Sequence, residues 1–368
     1  MIRHTWRALC WLVWIGLLTA GLWPFNFFPK NRVAWIHPAG LSFDWNGIVY
    51  TRAPLQPGAL EPRPTDGITV ELVLKPAARN ASYYAEIFSL YCPDRDSFAI
   101  GQLGSTLHIN GNYSSPKSPG HTRGFAVPDA LPPDRQRFVA VVAGTAGTFV
   151  YADRELIAGY PGVSPLPEML SGRIVLGHSP GQYHPWVGEL YGVSIYRRAL
   201  ASDSIENDYD SWAHGATARI ASNADLAALF TFHEGQGRIV HDQVARGPEL
   251  LIPRLFRSLQ KQVLPPPSKT DYGDTTDVIL NIAGFVPFGF LLAAYFRKFR
   301  HASAARSVLI AAGLCFATSL AIELLQVFLP SRTSSMADLI NNVLGGFIGA
   351  LLATSFQPRS PESALLHR

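Results

Sequence analysis

Seven polar residues lie within or beside long apolar stretches near the C-terminal end of this 368-residue chain. They are three acids, one arginine and three amides: Asp277, Asn281, Glu323, Gln326, Arg332, Asp338 and Asn342. Ionisable groups are costly in lipid, so such side chains usually face the interior of a helix bundle. Gathered there, they could bind the headgroup of an amphiphile or take part in proton transfer.

Their spacing predicts that they share helix faces, because residues i, i+4, i+7 and i+11 point the same way. Three series fit this rule: Asp277, Asn281 and Gly284; Ser319, Glu323 and Gln326; Asp338, Asn342, Gly345 and Gly349. We expect the seven residues to converge in the outer third of a membrane. The alternative is that they only join helices, since small residues and amides promote helix packing. Arg332 would then neutralise Glu323 or Asp338.

Four apolar stretches must position these residues, at 8–23, 278–296, 308–329 and 339–356. Each is close to the roughly 20 residues that a membrane helix needs. The first is short enough to be a cleaved signal peptide, which normally ends in small residues. Trp23, Pro24 and Phe25 stand there instead and favour an uncleaved span with an aromatic interface.

Basic residues predict the orientation, since short cytoplasmic loops are rich in Lys and Arg. Arg3 and Arg7 precede the first span, and four more lie between the second and third: Arg297, Lys298, Arg300 and Arg306. We therefore expect a multi-pass protein of a bacterial-type inner (cytoplasmic) membrane, with both termini cytoplasmic. The long middle region lies outside.

The middle region contains short alternating runs separated by turn residues, a pattern typical of an all-β sandwich. Examples are GITVELVL, AEIFSLY, RFVAVVAG, GTFVYADREL and GRIVLG. The runs FVAVVAGTAGTFVYADRELIAGY and GRIVLGHSPGQYHPWVGELYGVSIYRRALASDSIEND resemble the LamG or concanavalin-A-like jelly-roll superfamily over about 40–210. The stretch LAALFTFHEGQGRIVHDQV is similar to opening strands of that class and could complete a sheet edge.

The jelly-roll resemblance implies a glycan- or protein-binding module or a purely structural one. Polar and aromatic residues in or near its loops are candidates for a ligand face: His178, Tyr183, His184 and Trp186, with His108, Asn110, Asn112 and Tyr113. A hydrolase would need two neighbouring carboxylates, and no E-x-D-x-x-E run occurs. Calcium needs six to eight oxygens, which Asp44, Asp94 and Asp96 do not supply, so we expect no metal.

Basic residues also occur just before the second span, in RLFRSLQKQVL at 254–264. Their position outside departs from the positive-inside rule, although long translocated regions tolerate such charges. Leu255, Leu259 and Val263 have helical spacing opposite them. The segment is predicted to be an amphipathic helix on the outer leaflet, or a soluble helix packed on the β-domain.

The apolar part resembles the VanZ-like membrane family through LWPFNFFP, TDVILNIAGFVPFG and IELLQVFLPSRTSSMADLINNVLGGFIG. These match an acid and Asn before P-F-G, then E-x-x-Q, Arg, Asp and Asn-x-x-G-G, over about 7–28 and 275–356. The resemblance implies a role in low-level resistance to teicoplanin, a glycopeptide antibiotic. The seven polar residues carry over as its motif set, without catalytic roles. The inserted middle domain departs from simple family members.

The predicted fold class is therefore α+β and multidomain, a four-helix transmembrane bundle with a jelly-roll sandwich inserted between the first two spans. The expected parts are an N-terminal span at 1–30, the sandwich at 38–215 and accessory strands with a juxtamembrane segment at 216–275. The VanZ-like domain follows at 276–358 and a cytoplasmic tail at 359–368.

Three functions fit these features. The first is a non-enzymatic envelope protein that binds membrane lipids or a lipid-linked wall precursor, with a glycan or envelope protein held by the sandwich. The second is a structural adhesion module on a helical anchor, and the third an enzyme acting on lipid headgroups. No cofactor or nucleotide motif occurs, which disfavours the enzyme. A net charge of +4 gives no nucleic-acid footprint.

Overall fold

The structure is a computed structural model that describes residues 2–55, 67–78, 82–93, 97–115, 118–244, 247–267 and 275–355. It divides into two compact units: Met1–Phe28 with Lys261–Arg368, and Pro29–Gln260. The tail predicted at 359–368 lies outside the described residues.

The first unit is a bundle of four helices: α1 Ile2–Leu22, α4 Thr275–Arg300, α5 Ala304–Gln326 and α6 Met336–Ser355. Each is long and apolar enough to cross a membrane, with mean hydropathy between 1.4 and 2.2. Serine side chains cap two of the helices. Ser303 Oγ accepts a hydrogen bond from Arg306 N in α5, and Ser335 Oγ accepts one from Asp338 N in α6. The chain is a multi-pass membrane protein.

Glycines let α6 lie against α4. A Cβ built at Gly345 would meet the Ile282 carbonyl oxygen, and one at Gly349 would meet that of Val286. Small residues at this spacing allow helix backbones to approach closely, which is a common way of packing helices in lipid. The α4–α6 pair is therefore specified by backbone contact.

Helix α1 packs against α4 and α5 through side chains. Trp14 Nε1 donates a hydrogen bond to Thr318 Oγ1 at 3.2 Å, and a Cβ at Gly21 would lie 2.6 Å from Ile322 Cγ2. Arg7 Nε donates to the Tyr295 hydroxyl at 2.9 Å. These contacts connect the first span to helices far along the chain.

The second unit is a sandwich of two antiparallel sheets. One has the order β1-β2-β14-β4-β9-β10-β11, with β15 also paired to β14. Its strands are β1 Val33–Trp35, β2 Leu41–Phe43, β4 Gly67–Pro76, β9 Arg137–Gly144, β10 Gly147–Ala152, β11 Glu155–Pro161, β14 Gly188–Tyr196 and β15 Leu226–Phe230. The LAALF run, predicted to complete a sheet edge, forms β15. It pairs with the second half of β14, and β2 pairs with the first half.

The other sheet has the order β12-β7-β6-β5-β13-β3-β17-β16, with β8 also paired to β7. Its strands are β3 Val49–Thr51, β5 Ala85–Tyr91, β6 Phe98–Leu103, β7 Thr106–Ser115, β8 Ser118–Val127, β12 Ser164–Pro165, β13 Arg173–Leu176, β16 Ile239–Val240 and β17 Leu250–Leu251. Apolar side chains of both sheets, among them Leu72, Phe88 and Trp186, form one core.

Two short helices, α2 Ser202–Ala213 and α3 Thr217–Ala221, cover the outer face of the first sheet. Ile205 and Ile220 pack there against Val73 and Phe138. The predicted fold class, a four-helix bundle with an inserted β-sandwich, is confirmed.

The helix expected at 254–264 is absent, and both helical interpretations of this segment are wrong. The described chain is irregular there, and the Phe256 side chain is buried with Ile48, Tyr91 and Val175 on the outer face of the second sheet. Phe256 N donates to the Pro29 carbonyl at 2.8 Å, and Gln260 N donates to that of Pro180 at 2.8 Å. Backbone groups bonded to other segments are unavailable for a helix.

Candidate polar site in the helix bundle

Glu323 is the most buried acid of the predicted membrane site, with 2% of its surface exposed. It lies near the end of α5, and its Oε2 accepts a hydrogen bond from Ser335 N at 2.8 Å. Ser335 is the residue that caps α6. The carboxylate therefore lies at a helix N-terminus, where the helix dipole favours negative charge.

Residues from α4 and α6 complete this acidic end of the bundle. Asn281 Nδ2 donates to Asp338 Oδ1 at 2.9 Å. Asp277 and Asp338 both lie close enough to Glu323 to interact with it electrostatically. The structure thus brings Asp277, Asn281, Glu323 and Asp338 together from three helices.

Amides lie deeper in the same region. Asn342 Nδ2 donates to Ser319 Oγ at 3.0 Å. Within the described ranges, the buried Asn342 Oδ1 and Asn341 Nδ2 have no hydrogen-bond partner. A buried polar atom left unpaired costs about 1–3 kcal/mol, so these atoms are available to a polar ligand.

Gln326 and Arg332 have another role, since they bind the C-terminal end of α1. Arg332 donates from Nε to the Trp23 carbonyl at 3.0 Å and from Nη2 to that of Ala20 at 3.2 Å. Gln326 Nε2 donates to the Gly21 carbonyl at 2.9 Å. A cation at a helix C-terminus is favourable. In the part of the chain that the structure describes, Arg332 makes no ion pair with Glu323 or Asp338, the neutralising role that the packing alternative gave it, and it joins α1 to the other helices instead.

Lys261 belongs to this end of the bundle, although the sequence did not assign it there. Its Nζ donates to the carbonyl oxygens of Leu329 and Arg332, in the turn between α5 and α6. Burial lowers the pKa of the Lys261 ammonium to about 8. Lys261 belongs to the basic segment that departs from the positive-inside rule, and this departure was the feature of the sequence that could have identified its role.

The ligand face predicted on the sandwich is only partly accessible. Trp186 is fully buried, and its Nε1 donates to Gln102 Oε1 at 2.9 Å. His178 is 1% exposed, with its ring 4.5 Å from that of Phe256. Burial removes both from the predicted face. Tyr183 donates to Asn46 Oδ1 at 3.1 Å, and both Tyr183 and His184 are half-buried.

Three of the predicted candidates, His108, Asn110 and His184, lie around Tyr84, a residue that the sequence did not single out. The Tyr84 ring lies 5.1 Å from that of His184 and 5.9 Å from that of His108. Asn110 Nδ2 donates to the Tyr84 hydroxyl at 2.6 Å. Burial lowers the pKa of both histidines, which keeps the rings neutral at pH 7. The adjacent tyrosines Tyr83 and Tyr84, just before β5, were the feature of the sequence that could have identified this group. We call Tyr84, His108, Asn110 and His184 the Tyr84 cluster.

A metal site among the described residues would need several ligand side chains close together. No group of three His, Cys, Asp or Glu side chains there could hold an ion. Asp44 lies 3.6 Å from Arg32, whereas Asp94 and Asp96 fall outside the described residues. The side chain of Asn112 is likewise not described, and Tyr113 is fully buried.

Solved structures similar to this chain include three proteins whose names concern binding or assembly. A candidate carbohydrate-binding protein from Bacteroides ovatus ATCC 8483 is 14% identical, with a TM-score of 0.39 over 60% of this chain and 61% of that one. The CBM40 of Ruminococcus gnavus IT-sialidase, bound to α2,3-sialyllactose, is 16% identical, with a TM-score of 0.30 over 49% and 97%. The heptameric SAP-like pentraxin of Limulus polyphemus is 14% identical, with a TM-score of 0.28 over 45% and 82%. This chain thus spans less than two thirds of the Bacteroides protein.

No curated protein sequence matches this chain. One protein family does, over residues 226–357, which contain β15–β17, α4–α6 and the whole acidic end of the bundle. That family is VanZ/LLP1, and the VanZ resemblance predicted from the sequence is confirmed over this part of the chain.

Proposed function

We propose that the acidic end of the bundle binds the polar headgroup of an amphiphile, a membrane lipid or a lipid-linked wall precursor, without catalysing a reaction. The observation that carries this proposal is Glu323, a buried carboxylate held by a backbone N–H. The charged groups that act on it are further acids, Asp338 and Asp277, whereas Lys261 and Arg332 are bonded to backbone carbonyls. A headgroup that offers an ammonium or several hydroxyl donors would fit this chemistry.

Glu323 accepts a bond from Ser335 N, which links α5 to the start of α6, but it lies outside the other two contacts that hold the helices together. The α4–α6 contact is made by glycines, and α1 is held by Arg332 and Gln326. Glu323 is needed for neither contact. Burying a carboxylate in a membrane protein is costly unless it serves a function, so its retention there supports a binding role.

The position of the site supports an external ligand. In the chain, the sandwich follows the end of α1 and precedes the start of α4, so its two connections reach the membrane surface at which these helix ends lie. With Arg3, Arg7, Arg297, Lys298 and Arg300 at the opposite ends of the helices, the positive-inside rule makes this surface the external one. We propose an inner-membrane protein with both termini in the cytoplasm and a role in glycopeptide resistance.

The test is Glu323→Gln, which keeps the shape of the side chain and removes its charge. In cells whose teicoplanin tolerance depends on this protein, we expect the minimal inhibitory concentration to fall to the level of the deletion strain. Immunoblotting should show an unchanged protein level. The matched control is Glu155→Gln, an exposed acid on the sandwich, which should keep full tolerance.

Full tolerance of the Glu323→Gln variant at normal protein level would contradict a binding role for this carboxylate. A variant from which residues 40–210 are deleted, leaving the bundle, separates headgroup binding from adhesion. If that bundle keeps the tolerance, the sandwich is not needed for it, and a purely adhesive function is wrong.

The Tyr84 cluster supports a second function, binding of a glycan by the sandwich. An aromatic ring with an amide and two neutral imidazoles beside it provides stacking and hydrogen bonds for hydroxyl groups. Full-length protein in nanodiscs should bind to a glycan array, and His184→Ala should reduce that binding. His241→Ala, on an exposed histidine, is the control. Equal binding by both variants would contradict a site at this cluster.

A further inference from the structure

A groove in the bundle is separate from the acidic end. It has a volume of about 630 Å³ and runs between α1, α4 and α5. Its walls are mainly apolar and include Trp11, Trp14, Phe288, Leu292, Leu314 and Ala321. Trp11 is 61% exposed and Leu314 40% exposed, so the groove opens on the lipid-facing surface.

The groove is elongated along α1. Its lining extends on α1 from Arg7 to Leu18, which is about 16 Å at the rise of an α-helix. Trp14 and Thr318 in its wall satisfy each other, because the half-buried Trp14 Nε1 donates to Thr318 Oγ1. Such a surface suits a single hydrocarbon chain and offers little to a polar molecule.

One end of the groove is positively charged. Arg7 lines it and donates from Nε to the Tyr295 hydroxyl at 2.9 Å, and Arg3 reaches the same hydroxyl. Lys298 Nζ lies nearby in α4, over the ring of Trp6 at 5.6 Å. Within the described ranges, no acid forms an ion pair with Arg3, Arg7 or Lys298. The Arg7 Nη atoms therefore remain available to an anion.

We propose that this groove binds an anionic phospholipid, with one acyl chain between α1 and α5 and its phosphate held by Arg7 and Arg3. Guanidinium groups bind phosphate oxygens through charge-assisted, often paired hydrogen bonds. Basic pockets between membrane helices on the cytoplasmic side recognise anionic headgroups. The lipid would fasten α1 to the other helices at the end opposite Arg332, and the site is independent of the proposed external ligand.

Tryptophan fluorescence can test this proposal, because Trp11 and Trp14 line the groove. The full-length protein in detergent is titrated with phosphatidylglycerol or phosphatidylcholine carrying dibrominated acyl chains, which quench nearby tryptophans. We expect half-maximal quenching at about a tenfold lower concentration of phosphatidylglycerol, as one charge-assisted hydrogen bond would give. Native mass spectrometry should show one retained phosphatidylglycerol per chain.

Two variants and two controls decide the outcome. Arg7→Gln should raise the phosphatidylglycerol midpoint to that of phosphatidylcholine, and Ala321→Phe should fill the groove and weaken quenching by both lipids. Arg300→Gln removes a cation outside the groove, and Gly16→Phe adds a ring on the face of α1 opposite Trp14 and Leu18, where a built Cβ meets nothing within 4 Å. Both controls should behave as the wild type. Equal midpoints for the two lipids in the wild type, or equal effects of Arg7→Gln and Arg300→Gln, would overturn the proposal.

Discussion

At the scale of single residues, Glu86 on β5 makes the stability of the sandwich depend on pH. The side chain is 6% exposed, and burial raises its pKa from 4.5 to about 7. The folded protein then holds this proton more tightly than the unfolded chain. The free energy of unfolding is therefore expected to fall as pH rises from about 4.5 through 7, by on the order of 3 kcal/mol.

Thermal unfolding followed by near-UV circular dichroism should show a higher Tm at pH 4.5 than at pH 8. Glu86→Gln should reduce this difference, and Glu155→Gln should leave it unchanged. Part of the difference should persist in Glu86→Gln, because burial also raises the pKa of Glu71, Asp208 and Asp242. A Glu86→Gln variant with the full pH dependence of the wild type would contradict this assignment.

Residue spacing predicted part of the candidate site and missed its partners. Helical periodicity placed Asp277, Asn281, Glu323 and Asp338 on facing surfaces, and the structure brings them together. The same periodicity could not show that Arg332 points to α1, because that contact joins positions more than 300 residues apart. Trp186 was misjudged because it lies two residues before β14 and its side chain enters the core, as strand residues do.

At the scale of elements, the contact between α4 and α6 depends on the lack of a side chain at Gly349. A methyl group there would collide with the Val286 carbonyl oxygen, which belongs to the backbone and cannot rotate away. Gly349→Ala is expected to destabilise the bundle by about 1–3 kcal/mol, as overpacking does. Unfolding by SDS in mixed micelles, followed by far-UV circular dichroism, measures this loss.

Gly313→Ala is the matched control, since its Cβ would meet nothing within 4 Å. It should keep or raise stability, because Ala favours a helix more than Gly does. Equal stability of the two alanine variants would show that α4 and α6 are not packed through this glycine.

Elements with a strong periodic signal were predicted well from the sequence. Long apolar runs gave the four spans, and alternating runs gave β4, β5, β9, β10 and β13. The helix prediction for 254–264 failed because the spacing of its leucines resembles that of an amphipathic helix. In the structure, Phe256 is the side chain that becomes buried. Tertiary burial of one aromatic ring outweighed a weak local pattern.

At the scale of the whole molecule, the positive-inside rule makes the orientation testable. Single cysteines are introduced into a variant in which Cys10, Cys92 and Cys315 are serine. Glu155→Cys, exposed on the sandwich, should react with a membrane-impermeant maleimide in intact cells. Ala305→Cys, exposed at the start of α5, should react only after the membrane is permeabilised. The reverse labelling pattern would invert the proposed topology.

The bonds from Arg332 and Gln326 to the end of α1 also determine the order of assembly during synthesis. The ribosome completes α1 at Leu22 but reaches Thr275 of α4 only about 250 residues later. At roughly 5–20 residues per second, that interval is on the order of ten seconds to a minute. During this time α1 is without its partner helices while the sandwich is synthesised. The bundle can close only after the sandwich has been synthesised, so a chain stalled within the sandwich would leave α1 exposed to quality-control proteases.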